Sequence, residues 1–235
     1  MTARESARAS RVLVLADGAA PSRSSLDAAW PGWDHDIDLV IAADGGARLA
    51  GPLGLTIDLW VGDGDSLGEA GIAELRAAGV RVQQSPIDKD ATDAELGLLA
   101  AVAAGASEVT VLGALGGTRF DHALANVLLL AHPALAGSRV QLMDGRTRVR
   151  LLDAQASSKA VRLDLAGRVG DLVSLIPLED LAGVTTTGLH YPLRDEDLRV
   201  GPARGVSNLR TRVDASVSIR SGRLLVVEAP ATLPR

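Results

Sequence analysis

The chain has 235 residues, of which 47% are hydrophobic and 23% charged, with a formal net charge of −5 and only three Trp, one Tyr and one Phe. The absence of cysteine excludes a disulfide framework, a cysteine-ligated zinc site and an iron–sulfur cluster. The acidic balance and the few aromatic rings argue against nucleic-acid binding, and the lack of an apolar run of about 18 residues argues against a membrane span.

The first part of the chain alternates short apolar runs with stretches rich in Ala and Leu. The predicted strands are 11–15, 38–43, 57–61, 80–83, 108–112 and 139–143. The predicted helices fall between them, at 45–51, 69–79, 93–105 and 120–137. Strands that alternate with helices of this length indicate βαβ units and a parallel sheet, and strands that are apolar throughout indicate helices on both faces. We therefore predict an α/β domain over residues 1–144.

After about Gly145 the long helical stretches disappear and short alternating runs take over. The predicted strands here are 148–152, 160–165, 172–176, 183–187, 215–219 and 224–227. Residues 217–227 predict a hairpin closed by Ser221 and Gly222, and the charged stretch 194–197 predicts a solvated loop. Many short strands at this spacing indicate an all-β domain, a β-sandwich, over residues 145–235.

Aspartate and glycine recur wherever a strand of the first domain ends. The loops concerned are 16–18, 44–46, 62–66, 88–93 and 113–122. Ligands of an open parallel sheet bind at the carboxyl ends of its strands. Converging carboxylates need a cation between them, and oxygen ligands without Cys favour Mg²⁺, which is usually shared with substrate phosphates. Glycines let the backbone approach phosphate closely, so these loops together predict a site for Mg²⁺ and a nucleotide.

Individual residues in these loops have simpler interpretations as well. Asp63 and Asp65 flank a single glycine, an arrangement that favours a bound cation. Ser66 and Thr92 each precede a glutamate by three residues, which predicts that both cap helices. Arg119 follows a double glycine and suits a bidentate phosphate clamp, although a surface ion pair is the alternative.

In these loops the sequence resembles the thiamine pyrophosphokinase (thiamine diphosphokinase) family. The matching segments are 43–46, 62–66, 90–93, 116–122 with Asn126, 183–193, 205–208 and 217–219. They occur in the family's order and cover nearly the whole chain. The resemblance implies an N-terminal α/β nucleotide-binding domain for ATP and Mg²⁺, a C-terminal β-sandwich for thiamine and dimerisation, and a homodimer. It also implies transfer of diphosphate from ATP to the hydroxyl group of thiamine, with release of AMP.

The resemblance also assigns roles to particular residues. The predicted metal ligands are Asp63, Asp65, Asp90 and Asp93. The predicted ATP-binding residues are Asp44, Gly45, Gly116, Gly117 and Arg119. Lys89 is added to them because it is one of only two lysines in an arginine-rich chain. Asp65, Arg119 and Asp121 are the predicted catalytic residues, with the proton acceptor left open between the two aspartates. Tyr191, Ser207 and Asn208 are the predicted thiamine-binding residues, and an aromatic face suits the cationic thiazolium.

Two positions depart from the family pattern. Gly64 stands where the family has Phe between its two aspartates, and the lost ring predicts a looser loop. Thr118 is inserted in the glycine–arginine motif, which alters the expected reach of Arg119.

Two other functions fit part of this pattern. A DxD-type nucleotide-sugar transferase would use Asp63 and Asp65 alone and would leave the other four loops unexplained. A sensor that binds nucleotide or thiamine without catalysis need not keep the whole acidic and arginine set. Residues 1–10 contain no apolar stretch, so we expect no secretory signal and a cytoplasmic protein.

Overall fold

The structure is a computed structural model that describes residues 10–88 and 90–231. The chain divides into two compact units, Met1–Gly145 and Arg146–Arg235. Among the described residues, every helix is too short or too polar to cross a membrane.

The first unit is built on a sheet of six parallel strands in the order β6-β5-β1-β2-β3-β4. The strands are β1 (Arg11–Leu15), β2 (Leu39–Ala43), β3 (Leu59–Gly62), β4 (Arg81–Gln84), β5 (Glu108–Leu112) and β6 (Arg139–Met143). Every residue of β2 is buried, as expected for a central strand of a parallel sheet covered on both faces. The prediction of a parallel α/β sheet is confirmed, with strand ends that differ by one or two residues.

Five helices connect these strands. They are α1 (Arg23–Ala29), α2 (Ala50–Leu53), α3 (Gly68–Ala77), α4 (Asp93–Ala103) and α5 (Phe120–Leu129), and 3₁₀ turns cover Asp44–Leu49 and Pro133–Leu135. Helix α1 was not predicted, because it has only seven residues; the side chain of Ser22 caps it. The predicted cap at Thr92 is confirmed, because its hydroxyl accepts a hydrogen bond of 3.2 Å from the Glu95 amide.

The predicted cap at Ser66 is wrong. Helix α3 begins after Leu67 and no side chain caps it. The Ser66 hydroxyl donates instead to Asp65 Oδ1 at 3.1 Å. The side chain that was predicted to cap the helix is therefore hydrogen-bonded to the neighbouring carboxylate.

The second unit consists of two antiparallel sheets. The strands are β7 (Arg148–Asp153), β8 (Val161–Leu165), β9 (Leu172–Pro177), β10 (Leu181–Thr187), β11 (Glu196–Leu198), β12 (Asn208–Leu209), β13 (Ala215–Ile219) and β14 (Arg223–Ala229). One sheet has the order β12-β9-β14-β7 and the other β11-β10-β13-β8. Side chains from both sheets form one hydrophobic core, including Val173, Val226, Val184 and Val217. The unit is therefore a two-sheet β-structure, as its alternating pattern predicts.

One local prediction for this unit is wrong, and another is right only in part. Residues 217–227 do not form a hairpin, because β13 pairs with β8 and β10 while β14 pairs with β7 and β9. Val217 and Leu224 are both fully buried in the shared core, so the turn at Ser221 and Gly222 carries the chain from one sheet to the other. The predicted solvated loop at 194–197 is confirmed for Arg194, Asp195 and Asp197, which are exposed, but β11 begins within it at Glu196 and pairs with β10.

Candidate active site

A cleft of about 450 Å³ lies at the carboxyl edge of the parallel sheet. All five predicted loops contribute to its lining, through residues that follow β1, β2, β3, β4 and β5. Strands β2 and β5 flank β1 on opposite sides, so the connections that leave β1 and β5 diverge there and open a crevice. Helices α4 and α5 both begin at this cleft, which directs unpaired backbone amides and the positive ends of their dipoles toward it.

Three aspartates converge in this cleft. One carboxylate oxygen each from Asp44, Asp63 and Asp93 lies within 4.8 Å of the other two. Asp44 follows β2, Asp63 follows β3, and Asp93 is the first residue of α4. Because β2 and β3 are neighbouring parallel strands and α4 packs across both, residues distant in sequence meet at one point.

Asp44 has the most constrained environment of the three. It is only 2% exposed, and its backbone adopts a left-handed conformation with φ of 43°. Its Oδ1 atom is buried and accepts no hydrogen bond from any described residue. Burial raises the pKa of this carboxyl group and the nearby Asp93 raises it further, while the Ser66 hydroxyl acts in the opposite direction. A buried oxygen without a donor, beside two more carboxylates, fits a hard divalent cation.

The loop that carries Asp63 is held in place by hydrogen bonds. The Asp65 amide donates to Asp63 Oδ1 at 3.0 Å, and the Gln84 side chain donates to the Asp63 carbonyl at 3.1 Å. Asp65 lines the cleft but lies outside the cluster of three carboxylates. Asp90 is exposed and belongs neither to that cluster nor to the described lining of the cleft. Of the four predicted metal ligands, the structure thus brings Asp63 and Asp93 together with Asp44.

Gly64 stands in a closely packed part of this loop. It is buried with φ of +88°, and a Cβ at this position would lie 2.4 Å from Ile72 Cδ1. Ile72 of α3 therefore packs where a side chain at position 64 would stand.

Replacing Gly64 with alanine is expected to lower the free energy of unfolding by roughly 2 kcal/mol or more, because strain at positive φ adds to the steric clash. Urea denaturation followed by circular dichroism measures the change. Gly137→Ala is the matched control, because Gly137 has no atom within 4 Å of an added Cβ. Equal stability of the two variants would contradict the packing argument.

The glycine–arginine segment forms the opposite side of the cleft. Gly116 and Gly117 line it with φ of 75° and 104°, and Arg119 immediately precedes α5. Arg119 donates to both carboxylate oxygens of Asp121, through Nε at 2.9 Å and Nη2 at 2.5 Å. Both side chains are exposed, and the paired guanidinium lowers the pKa of Asp121. Asp121 itself lies outside the described lining of the cleft, so its contact with the site runs through Arg119.

The remaining nucleotide-site predictions have different outcomes. Gly45 is buried below the cleft, where a Cβ would lie 2.2 Å from Asp17 Oδ2. Lys89 lies outside the described residues. Two further residues belong to the site without having been predicted individually. Asp17 lines the cleft, and Arg48 lies 3.5 Å from Asp17 and donates to the Ser66 carbonyl. The position of Asp17 directly after a strand was the available signal.

The three predicted thiamine residues lie together in the second unit. Tyr191 is 67% exposed, and the His190 ring packs edge-on against it with 4.5 Å between centroids. Ser207 has φ of 60°, and its amide donates to Ser174 Oγ at 3.0 Å. Asn208 is 7% exposed and hydrogen bonds to the Tyr191 backbone. Tyr191 thus presents the accessible surface, while Asn208 lies behind it.

Both units match the same protein family. Residues 33–142 match the family described as thiamin pyrophosphokinase, catalytic domain. Residues 160–224 match thiamin pyrophosphokinase, vitamin B1 binding domain. Together the two matches span most of the chain and contain the acidic cleft and Tyr191.

Individual relatives agree with this match. The thiamine pyrophosphokinase of Bacillus subtilis is 26% identical over 169 residues, which cover 72% of this chain and 76% of the relative. A crystal structure of a thiamin pyrophosphokinase family protein from Enterococcus faecalis superposes with a TM-score of 0.77 at 25% identity, covering 94% of this chain and 99% of that one. The Candida albicans thiamin pyrophosphokinase shares the fold, with a TM-score of 0.73 at 16% identity over 93% of this chain and 90% of that one. The chain belongs to the thiamin pyrophosphokinase family, the kinases that form thiamine diphosphate.

Proposed function

We propose that the cleft of the first unit binds ATP together with Mg²⁺, and that the chain transfers the terminal diphosphate to the hydroxyl oxygen of thiamine with release of AMP. The observation that carries this proposal is the convergence of Asp44, Asp63 and Asp93 beside a glycine loop and two helix N-termini. The carboxylates suit a metal ion, and the amides suit the phosphates that share it. No other cluster of metal-ligating side chains was found among the described residues.

Asp44, Asp63 and Asp93 would hold the metal ion. When bound, Mg²⁺ supplies charge neutralisation on the phosphoryl oxygens. The donor set fits it, because all three ligands are carboxylate oxygens and the buried Oδ1 of Asp44 accepts no hydrogen bond from any described residue. Asp65 and Asp90, the other two predicted ligands, would lie outside the set that binds the metal directly.

Arg119 is placed to bind the transferring phosphates. Its guanidinium lines the cleft and, held by Asp121, presents a preoriented fork to an anion. Asp121 is a poor proton acceptor, since its pKa is lowered and both of its oxygens accept hydrogen bonds from Arg119. Asp65, which lines the cleft, is the better candidate for accepting the proton of the thiamine hydroxyl.

The thiamine site, the localisation and the oligomeric state are proposed from the family to which the chain belongs. We propose that the second unit binds thiamine through Tyr191, whose exposed ring suits the fixed positive charge of thiazolium. We further propose a cytoplasmic homodimer, which light scattering coupled to gel filtration tests directly.

Incubation with ATP, Mg²⁺ and thiamine, followed by separation of the nucleotides, tests the reaction. We expect thiamine-dependent AMP in equal amount to thiamine diphosphate. Formation of ADP would instead indicate monophosphoryl transfer. Tight binding of both substrates without turnover would favour the sensor, and release of a nucleoside diphosphate from a nucleotide sugar would favour the DxD-type transferase.

Replacing Tyr191 with alanine is expected to raise the KM for thiamine by about 2- to 30-fold, the range that corresponds to a cation–π contact. The KM for ATP should not change. Tyr191→Phe is the matched control, because it keeps the aromatic face and should retain most of the affinity. An unchanged thiamine KM in the alanine variant would remove Tyr191 from the site.

A further inference from the structure

The segment that carries Tyr191 is fixed at both ends by hydrogen bonds to neighbouring residues. Residues 188–193 follow β10 and return toward it. The Thr211 amide donates to the Gly188 carbonyl at 2.8 Å, and the Leu193 amide donates to Thr186 Oγ1 at 2.9 Å. Between these two points Tyr191 projects into solvent, so its ring position depends on whatever holds the middle of the segment.

Two contacts hold that middle. One is the hydrogen bond of 2.8 Å that the His190 amide donates to the Leu209 carbonyl, and the other is made by the side chain of Asn208. Its Oδ1 accepts a hydrogen bond of 3.0 Å from the Tyr191 amide, and its Nδ2 donates 2.7 Å to the Tyr191 carbonyl. The side-chain amide therefore pairs with both backbone groups of one residue, as the facing residue of an antiparallel strand would. Oδ1 also accepts from the Leu209 amide at 2.9 Å. These bonds use the Oδ1 acceptor twice and one of the two Nδ2 hydrogens, and the residue is only 7% exposed. Asn208 therefore has little capacity to contact a ligand.

Asn208 is itself anchored to the sheet. It lies opposite Val173 in the pairing of β12 with β9. Ser207 enters this pairing at a positive φ, and its amide is held by Ser174 Oγ. Asn208 thus links strand β9 to the backbone of Tyr191.

We propose that Asn208 is a positioning residue, which sets the orientation of the Tyr191 ring for thiamine and does not contact thiamine itself. This inference rests on the proposed role of Tyr191 in thiamine binding. It assigns the polar segment 207–208 an indirect contribution to the site, through the backbone of the residue that it holds.

The sequence offers a specific probe, because Tyr191 is the only tyrosine of the chain. Incorporation of 3-fluorotyrosine gives a single ¹⁹F resonance that reports the environment of this ring. We expect Asn208→Ala to shift and broaden that resonance and to raise the KM for thiamine about tenfold, since two hydrogen bonds that order the segment are lost. The kcat and the KM for ATP should change less than twofold.

Gln155→Ala is the matched control. Its side-chain amide donates to Glu179 Oε1 at 2.9 Å in the same unit but outside the segment that carries Tyr191, so both the resonance and the thiamine KM should be unchanged. Asn208→Asp keeps the shape and the acceptor and loses the donor to the Tyr191 carbonyl. If the alanine variant does not fold, the aspartate variant should show the same two changes at smaller size.

The inference is overturned if the thiamine KM rises without a change in the ¹⁹F resonance, which would make Asn208 a direct ligand. It is also overturned if the resonance shifts and the KM does not. Absence of thiamine diphosphate formation by the unaltered chain would instead remove the proposed function, and the inference with it.

Discussion

Replacement of Asp44 with asparagine is expected to lower kcat by at least about 10³-fold while the fold is retained. The substitution preserves shape, and asparagine tolerates the left-handed backbone that Asp44 adopts. What it removes is one negative charge among three converging carboxylates. Loss of charge stabilisation worth several kcal/mol in the transition state corresponds to this decrease in rate.

The same variant should be at least as stable as the unaltered chain when no metal is present. Burial and Asp93 raise the pKa of Asp44 in the folded state above its unfolded value. Ionisation of Asp44 therefore disfavours folding, and this destabilisation grows as pH rises from the unfolded pKa to the folded one. Asparagine does not ionise, so the variant should lose this part of the pH dependence.

Thermal unfolding with EDTA and with Mg²⁺ separates these effects. The unaltered chain should gain Tm when Mg²⁺ is added, whereas Asp44→Asn should start at an equal or higher Tm in EDTA and gain little. Asp88→Asn is the matched control, because Asp88 is exposed in the loop after β4 and does not line the cleft. A variant at position 44 that keeps both turnover and the Mg²⁺ response would remove Asp44 from the metal site.

Replacement of Arg119 with lysine is expected to lower kcat by about 10²-fold. Lysine keeps the positive charge but not the planar fork that can hold a phosphate through two donors. It also cannot reproduce the two-bond contact with Asp121 that orients the side chain. The KM for thiamine should change little, because Tyr191 and the residues around it are untouched.

Steady-state kinetics with ATP as the varied substrate measures this effect. Arg139→Lys is the matched control, since Arg139 forms a comparable exposed ion pair with Glu108 outside the cleft and should retain full activity. Equal activity of the two variants would show that charge alone suffices at position 119. Because the pKa of Asp121 is lowered, this carboxylate should remain ionised and contribute no transition to the kcat profile at neutral pH.

The strand pattern and the loop composition were readable from the sequence because they depend on local periodicity. Apolar β-branched runs such as Arg11–Leu15 and Glu108–Leu112 have the same bounds in the structure as in the prediction. The aspartates and glycines of the cleft were also identified, since they follow strands whose carboxyl ends must share one edge of the sheet.

Only the tertiary structure decided which of these residues act together. The sequence predicted Asp63, Asp65, Asp90 and Asp93 as metal ligands and Asp44 as an ATP-binding residue. The packing of α4 on β2 and β3 instead brings Asp44, Asp63 and Asp93 together. The residues around Gly222 predicted a hairpin turn. Because Val217 and Leu224 are both buried in the core between the two sheets, the turn instead connects one sheet to the other. Local sequence specifies which elements form, but burial and pairing between distant segments determine which side chains meet. The cluster of three carboxylates and the support of Tyr191 both arise in this way.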